Sequence, residues 1–439
     1  MYPMLVIVFF TKMKALQTFF AKTPYSMYFA MITEGHDYHV YAGHYIAFDV
    51  RVHTGFHLLR WISQGNMELL GTSAAGQTGL ITICVTPLIT FPMMYFKRRG
   101  CGLLRPYEVR KALHYLFYVF AIAMCFHVPP SAVPNGGFLP FVLGICIGMY
   151  TLDAFYVHIF MCEKIETTAF NVLSSGVRIS MPVSDRFMRN AERGSFAYIN
   201  LPWVNNKQWH PFSLFDDPAN PKIQQMFLMK SGDWTKAVHS ALARDTTRPV
   251  WIKGPFPSPF GHASLYDNQI LVASGIGITP ALGAINAFKS TRRVNLIWAV
   301  RDPEMLEFFM EKMYLEHDGW NLIFYTGKKP LNSDIYNLNT NIKVIKGRPN
   351  LPSVIPNIIY GIESKEGLPE NFISSDDLQP GFSPVDENKS QEVCVKRFND
   401  NVMETWGMMY CGGSPPVIET LQEISMKYHI DVHIDSFAW

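Results

Sequence analysis

The distribution of apolar residues divides the chain at about residue 165. Before that point, four apolar runs approach or exceed the roughly 20 residues that a membrane-spanning helix needs. They extend over about Val40 to Ile62, Leu80 to Phe96, Tyr107 to Val128 and Phe138 to Cys162. The opening MYPMLVIVFF lacks the basic start and cleavage site of a signal peptide, so it predicts a clipped or partly interfacial helix. After residue 165, strand and helix patterns alternate as in a globular α/β protein.

The distribution of charged residues indicates the class of protein and which loop faces the cytosol. The 439-residue chain carries a net charge of only +2, which argues against a dedicated nucleic-acid-binding protein. One cluster of basic residues lies in the short loop between the second and third apolar runs: Lys97, Arg98, Arg99, Arg105, Arg110 and Lys111. Residues 63–77 and 129–137 contain no lysine or arginine. By the positive-inside rule, the basic loop is cytosolic. The seven scattered cysteines indicate neither a disulfide framework nor a zinc site.

Four histidines in the apolar part have a regular spacing. His39 and His53 are 14 residues apart, which on one helix gives about 21 Å of rise and a return to within about 40° of the same face. His114 and His127 match that depth but would lie about 140° apart, so their helix needs a bulge or a bend. Level pairs of neutral imidazoles suit two stacked haems. Interior hydrogen bonding and a proton relay are the alternatives, and His44 fits neither pair.

Two motifs in the globular part suit phosphate-bearing cofactors. In WHPFSLFDDP, the proline fixes the backbone, the phenylalanine offers a stacking face and the serine a hydroxyl, which suits a flavin; a structural turn is the alternative. ILVASGIGITPALGAINAF predicts a strand, a glycine turn and a helix with Thr279 as N-cap and Pro280 at its first position. Such a turn favours phosphate. It is not GxGxxG, and an ordinary β-α turn is the alternative.

The remaining segments predict a doubly wound, mostly parallel sheet. VNLIWAVRD, NLIFYTG and GMMYCGGSPPVIETLQEI repeat the strand-and-helix pattern, so ligands are expected where strands end. Arg301, Cys411, Gly412 and the turn of residues 275–280 fall at such ends. Arg348 in KGRPN suits a 2′-phosphate, which would select NADPH. Residues 351–403 are rich in Pro, Gly, Ser and acids and predict a flexible insertion.

With these motifs in order, the chain from about Tyr38 to its C-terminus resembles the NADPH oxidase and ferric reductase transmembrane superfamily. The motifs that carry the resemblance are HVYAGHYIAFDVRVHTGFH, RPYEVRKALHYLFYVFAIAMCFH, WHPFSL, GDWT, KGPF, SGIGITP, GRPN and YCGG. The resemblance implies three parts. Residues 1–165 would form an α-helical transmembrane haem domain, residues 166–265 an antiparallel β-barrel that binds FAD, and residues 266–439 an α/β domain that binds NADPH. The last two make a ferredoxin-reductase-like module. The family's first helix has no counterpart, which implies a shortened amino-terminal region.

The resemblance also implies residue roles. His39, His53, His114 and His127 would ligate two b-type haems, and His57 would act beside the outer haem as the catalytic residue. Lys230 would replace an arginine on the FAD pyrophosphate, because Met229 stands where the family has that arginine. The other implied flavin residues are His210, Pro211, Phe212, Ser213, Gly254, Pro255, Phe256, Gly261, Ser264 and Trp439. The implied NADPH residues are Gly275, Gly277, Thr279, Pro280, Arg301, Arg348, Cys411 and Gly412.

The implied activity is transmembrane electron transfer. Cytosolic NADPH would reduce FAD, and electrons would pass through two b-type haems to oxygen on the far side, which yields superoxide. A ferric-chelate reductase with the same electron path is the alternative. A non-enzymatic or proton-conducting membrane protein with a degenerate reductase module is the alternative from another class. The protein would be a multi-pass protein of the plasma membrane or an endomembrane, in contact with lipid, with room for regulatory or partner subunits.

Overall fold

A computed structural model of the chain describes residues 2–23, 35–99, 107–127, 138–191, 194–242, 244–311, 315, 319–331, 342–363 and 405–435. The chain divides into two compact units, Met1–Phe160 and Met161–Trp439. The first unit consists of helices, and the second contains two β-sheets with helices around them.

The helical unit contains helices of very different length. They are α1 (Tyr2–Phe10), α2 (Lys14–Ala21), α3 (Gly35–Gln64), α4 (Leu69–Thr72), α5 (Ala74–Arg99), α6 (Tyr107–His114), α7 (Phe117–His127) and α8 (Phe138–Phe160). Within the described residues, three spans are long and apolar enough to cross a membrane: Ala74–Met94, Tyr107–His127 and Pro140–Phe160. The pair α1 and α2, bent by 74°, would make a fourth. The 30-residue α3 falls outside this set, because its histidines and charged residues lower its hydropathy.

The helices contact one another through small and apolar side chains. This is expected in a membrane, because the hydrophobic effect does not drive helices together in lipid and close packing must do so. Helix α1 contacts α3 and α8, and α7 contacts α5 and α8. Leu5, Phe9, Ile46, Phe120 and Met124 are buried at the centre of the unit. The threonines of α5 bond back to carbonyls of their own helix, which satisfies their hydroxyls without water.

The predicted bend between His114 and His127 is present. Helix α6 ends at His114 and α7 begins at Phe117, so one apolar span contains two helices. At the break, Leu116 N–H bonds to the Leu113 carbonyl at 3.0 Å and Tyr118 N–H to the Tyr115 carbonyl at 3.2 Å. These i to i−3 bonds tighten the turn relative to an α-helix. The break therefore changes the direction in which the two histidines of this span project.

The first sheet of the second unit is antiparallel and curled. Its strands are β1 (Cys162–Val172), β2 (Gly176–Pro182), β3 (Phe196–Asn200), β4 (His210–Ser213), β5 (Phe215–Asp217), β6 (Asn220–Met229) and β7 (Thr246–Phe256), and their order is β4-β3-β7-β1-β2-β6-β5. The two ends of this order, β4 and β5, are separated along the chain by one residue, Leu214. The sheet must therefore curl back on itself, which is the barrel-like arrangement that was predicted.

The second sheet is parallel throughout. Its strands are β8 (Asn268–Ser274), β9 (Arg293–Val300), β10 (Asn321–Tyr325), β11 (Ile342–Lys346), β12 (Trp406–Cys411) and β13 (Asp431–Asp435), in the order β11-β10-β9-β8-β12-β13. The order reverses direction at β8, whose neighbours are β9 and β12. In such sheets, ligands bind at the carboxyl ends of the strands at this switch point. The prediction of a doubly wound sheet is confirmed.

Two predictions about the helices of this unit are wrong in detail. Its helices are α9 (Asp185–Asn190), α10 (Pro202–Asn205), α11 (Asp233–Ala241), α12 (Ile278–Phe288), α13 (Pro303–Glu311), α14 (Leu351–Glu363) and α15 (Pro415–Tyr428). Residues 351–363, predicted to begin a flexible insertion, form α14 and bury Val354, Ile355, Ile358 and Ile359 in the core. Prolines 352 and 356 obscured this helical period. Residues 364–403 lie outside the described residues.

The second error concerns the start of α12. Thr279 was predicted as its N-cap and Pro280 as its first residue, but the helix begins at Ile278 with Gly277 at the N-cap. A short 3-10 turn, Gly275–Gly277, extends the helical path toward the strand. Thr279 instead donates its hydroxyl proton to the Ile276 carbonyl at 3.0 Å.

Candidate functional site

The structure brings the four spaced histidines together in two pairs. The ring centroids of His39 and His114 are 6.0 Å apart, with an interplanar angle of 63°. The centroids of His53 and His127 are 5.8 Å apart, at 62°. Each pair joins α3 to the broken span formed by α6 and α7. The two pairs have nearly the same ring separation and interplanar angle. Within the described ranges, no cluster of three or more His, Cys, Asp or Glu side chains has the geometry of a metal site.

Hydrogen bonds fix the protonated nitrogen of two of these rings through backbone carbonyls. Nδ1 of His39 lies 3.2 Å from the Val8 carbonyl, and Nδ1 of His114 lies 3.1 Å from the Ile89 carbonyl. A carbonyl oxygen only accepts, so each ring donates from Nδ1 and carries its lone pair on Nε2. The Ile89 carbonyl lies in the turn of α5 just before Pro92.

Further rings extend the second pair along α3. The His57 ring lies 4.5 Å from that of His53, and Trp61 lies 5.7 Å beyond His57. These residues follow the i, i+4 spacing of one helix face. Arg51 donates to the Ala47 carbonyl at 3.1 Å and lies 5.3 Å from the centre of the Phe91 ring. His44 donates to the Val40 carbonyl of its own helix.

The HPFS motif forms strand β4 and meets the GDWT motif side by side. The His210 ring stacks on Trp234 at 4.0 Å and 26°, and the Phe212 ring lies 6.1 Å from the same indole at 25°. His210 and Phe212 share a face of β4 because side chains alternate along a strand. Trp234 stands in the first turn of α11, and Thr235 Oγ1 accepts from Gly232 N–H at 3.0 Å. Trp234 was not among the predicted site residues, although the GDWT motif that contains it stood out in the sequence.

The other predicted flavin residues lie in the same sheet or the turn after it. Ser213 is buried at the end of β4, and Lys230 is exposed two residues before the N-cap of α11. Gly254 has φ +140°, and a Cβ there would press on Ala197 at 3.2 Å. Pro255 follows it, and Phe256 is buried against Phe196 rather than exposed for stacking on a ligand. Gly261 and Ser264 belong to the 3-10 helix Pro259–Leu265.

The glycine turn after β8 and the end of β12 lie against each other. A Cβ on Gly277 would collide with the Cys411 backbone, and one on Gly412 would meet Ser274 Cβ at 3.0 Å. Gly275 has φ +54°, and its carbonyl accepts from the Trp298 indole at 2.8 Å. The two turns therefore stand at the switch point of the sheet, where sheets of this kind bind their ligands.

A buried carboxyl beside Cys411 was also missed. Asp435 ends β13 opposite Cys411 and is 8% exposed. Burial raises the pKa of Asp435 to about 6. Burial, with the Asp435 charge second, raises the pKa of the Cys411 thiol well above its ordinary value. Only the pairing of β12 with β13 joins these residues, so no local sequence signal could reveal them.

The predicted arginines stand at the same edge of the sheet. Arg301 follows β9, and Arg348 follows β11 after Gly347, which has φ +131°. Both side chains are exposed. Strand β10 lies between β9 and β11, so the two arginines flank it at its carboxyl end. Trp439 lies outside the described residues.

Comparison with known proteins identifies two domains in the chain. A model of the FAD-binding domain matches residues 160–275, and a model of the ferric reductase NAD binding domain matches residues 266–370. The chain is 29% identical to ferric reduction oxidase 8, mitochondrial, of Arabidopsis thaliana over 72% of this chain and 42% of the relative. It is 24% identical to a superoxide-generating NADPH oxidase heavy chain of Dictyostelium discoideum over 64% of this chain and 46% of the relative. These matches support the resemblance to the NADPH oxidase and ferric reductase superfamily.

The two matched models confirm the predicted FAD-binding and NAD(P)H-binding domains. The chain spans less than half the length of these two relatives. Among solved structures, it is similar to a ferredoxin NADP+ reductase from Neisseria gonorrhoeae, with 13% identity over 63% of this chain and 98% of that one and a TM-score of 0.40. It is also similar to a flavohemoglobin from Malassezia yamatoensis, with 13% identity over 83% of this chain and 84% of that one and a TM-score of 0.39.

Proposed function

We propose that this protein transfers electrons from cytosolic NADPH across a membrane, with FAD and two b-type haems as carriers. The observation that carries the proposal is the presence of two imidazole pairs, 6.0 Å and 5.8 Å between centroids, in a helical unit with three apolar spans. The same chain contains FAD-binding and NAD-binding domains. A proton relay explains neither the pairing nor the attached reductase module.

The residues present fit the haems. A bond between a metal and an imidazole nitrogen is about 2 Å long, so two rings that share one metal have centres roughly 6 Å apart. His39 and His114 donate from Nδ1 to carbonyls, which leaves Nε2 as the ligating nitrogen and raises its basicity. His39 and His114 would hold the haem nearer the basic loop, and His53 and His127 the outer one. Bound haem supplies one-electron chemistry.

The residues of the reductase module would bind and orient FAD and NADPH. His210, Phe212 and Trp234 would form one wall of the flavin site, and the N-terminus of α11 with Lys230 would face the pyrophosphate. The turn of residues 275–277 and Cys411 would hold the nicotinamide half of NADPH. Bound FAD accepts a hydride and releases single electrons, which is the chemistry that the side chains alone lack.

For the acceptor, we propose oxygen, with superoxide as the product. The support is His57, whose ring centre lies 4.5 Å from that of His53 and which extends the outer pair by one imidazole that can donate to a small acceptor. A ferric chelate is the second candidate, because several relatives are named as ferric reduction oxidases.

An anaerobic absorbance spectrum of the purified protein with FAD, before and after NADPH, tests the proposal. We expect the bands of reduced bis-histidine b-type haem to grow after NADPH is added. Bands that appear with dithionite but not with NADPH would show that electrons do not reach the haems from the flavin. A protein without haem bands under either reductant would contradict the proposal.

A further inference from the structure

The nearest hydrogen-bond partner of the His127 ring is a side-chain hydroxyl, whereas the nearest partners of His39 and His114 are backbone carbonyls. Its Nδ1 lies 2.8 Å from Oγ1 of Thr78, a residue in the second turn of α5. A Cβ placed on the next residue, Gly79, would lie 3.6 Å from Cε1 of the same ring. Helix α5 therefore flanks the Nδ1 edge of His127 and leaves the Nε2 edge to other neighbours.

The second bond of the hydroxyl decides which atom donates. Thr78 Oγ1 lies 2.6 Å from the Ala74 carbonyl and 3.4 Å from the Ala75 carbonyl, both in its own helix. A threonine hydroxyl has one proton and two lone pairs, and carbonyls only accept, so the proton goes to Ala74. The contact with His127 is then satisfied only if Nδ1 carries a proton and donates it to Oγ1.

We propose that Thr78 is a positioning residue for the outer haem, an inference that rests on the proposed function. By accepting the Nδ1–H of His127, its hydroxyl selects the tautomer with the lone pair on Nε2, orients the ring and increases its electron donation to iron. The backbone bond of Thr78 to Ala74 holds the acceptor lone pair in place. Greater electron donation stabilises ferric iron, so Thr78 makes the outer haem a stronger reductant.

This bond can be removed by mutation, unlike the carbonyl bonds of the inner pair. Thr78→Val keeps the shape of the side chain and removes the acceptor, Thr78→Ala removes it in a smaller side chain, and Thr78→Ser restores it. Thr86→Val is the matched control, because the Thr86 hydroxyl bonds back in the same way to the Thr82 carbonyl of α5. The inner haem in the same molecule is an internal reference.

The experiment is a potentiometric titration of the two haems in the full chain, followed by absorbance and electron paramagnetic resonance. In Thr78→Val and Thr78→Ala we expect an upward shift of one midpoint potential and altered g-values of one ferric signal, or loss of one haem, since outer partners of ligands contribute on the order of 10- to 100-fold in metal affinity. Thr78→Ser and Thr86→Val should match the wild type.

Other outcomes would overturn the inference. If Thr78→Val and Thr78→Ala titrate as the wild type does, the hydroxyl does not act through His127. If Thr86→Val shifts the same haem, or if Thr78→Ser fails as Thr78→Val does, the effect is one of helix packing. A wild-type protein without two bis-histidine haems would overturn the proposed function and this inference with it, and that result is seen before any variant is made.

Discussion

At the scale of single residues, Asp435 should make the stability of the module depend on pH. The pKa of this buried carboxyl is raised from 3.8 to about 6, so the folded state holds the proton more tightly than the unfolded state. Its contribution is therefore complete below about pH 4 and is lost as the pH rises through 6. A difference of about two pKa units corresponds to about 3 kcal/mol.

The variant Asp435→Asn should remove this loss. We expect its unfolding temperature to exceed that of the wild type at pH 7.5 and the advantage to shrink at pH 4.5, measured by the fluorescence of released FAD during heating. Glu419→Gln, which neutralises an exposed carboxyl of α15, is the control. An advantage of Asp435→Asn that does not change with pH would contradict the burial argument.

Arg348 should determine the choice between NADPH and NADH. A guanidinium that forks onto the 2′-phosphate makes charged hydrogen bonds that contribute about 1.5–3 kcal/mol, or about 10- to 100-fold. Arg348→Ala should therefore raise KM for NADPH by about that factor and leave KM for NADH unchanged, measured with dichlorophenolindophenol as acceptor. Arg293→Ala is the control, because Arg293 begins β9 and therefore lies at the opposite edge of the sheet from Arg348. Equal effects on both nucleotides would show that Arg348 does not contact the 2′-phosphate.

Candidate functional residues could be predicted from the sequence only where their residue type is unusual for the segment that contains them. The four paired histidines interrupt apolar runs, where an ionisable side chain needs a reason. Asp435 could not be found in this way, because its environment is created by Cys411 on another strand. The motif of Trp234 did stand out, but its contact with His210 on a separate strand did not.

At the scale of elements, the N-terminus of α11 and strand β4 should act as one flavin-binding unit. The stack of Trp234 on His210 and Phe212 joins the two elements. Trp234→Ala removes this support and should lower FAD retention by about 10-fold, within the 0.5–1.5 kcal/mol of an aromatic pair plus lost packing. Trp234→Phe should restore most of it, because it keeps an aromatic face.

The measurement is the FAD content of the purified protein and its dissociation constant by fluorescence quenching. Unchanged FAD affinity in Trp234→Ala would show that the stack is a feature of the sheet alone. The circular dichroism spectrum of the same sample serves as the folding control, because the haem spectrum would report only on the helical unit.

Elements were predicted well where a single period dominates. The arithmetic of 100° per residue was enough to require a break between His114 and His127, and the break is present at residues 115 and 116. Helix α14 was not predicted from the sequence, because Pro356 lies inside it and proline usually indicates the end of a helix. The start of α12 differed because glycine at the N-cap leaves no side-chain signal, whereas Thr279 offered a false one.

At the scale of the whole molecule, the two-part organisation could be read from hydropathy, and the order of the motifs indicated the reductase module. Oxygen was predicted as the acceptor and a ferric chelate as the alternative, and the two proposed reactions would use the same electron path and differ only at its outer end. That end contains His53, His57 and Trp61 in a row on α3. The variants that separate the two acceptors must therefore be made on this face.

His57→Ala should distinguish the two reactions. A bound oxygen molecule gains from a positioned donor as negative charge develops on it, and removal of one such donor typically costs about 10²- to 10³-fold. A bulky chelate already holds its iron in its own ligands and has less need of the imidazole. We therefore expect superoxide formation, measured as superoxide-dismutase-sensitive cytochrome c reduction, to fall far more than ferric-chelate reduction.

His44→Ala is the matched control, since it removes an imidazole of α3 that bonds to its own helix. Equal losses in both assays, with haem content intact, would remove the support for oxygen and leave the ferric chelate as the better acceptor.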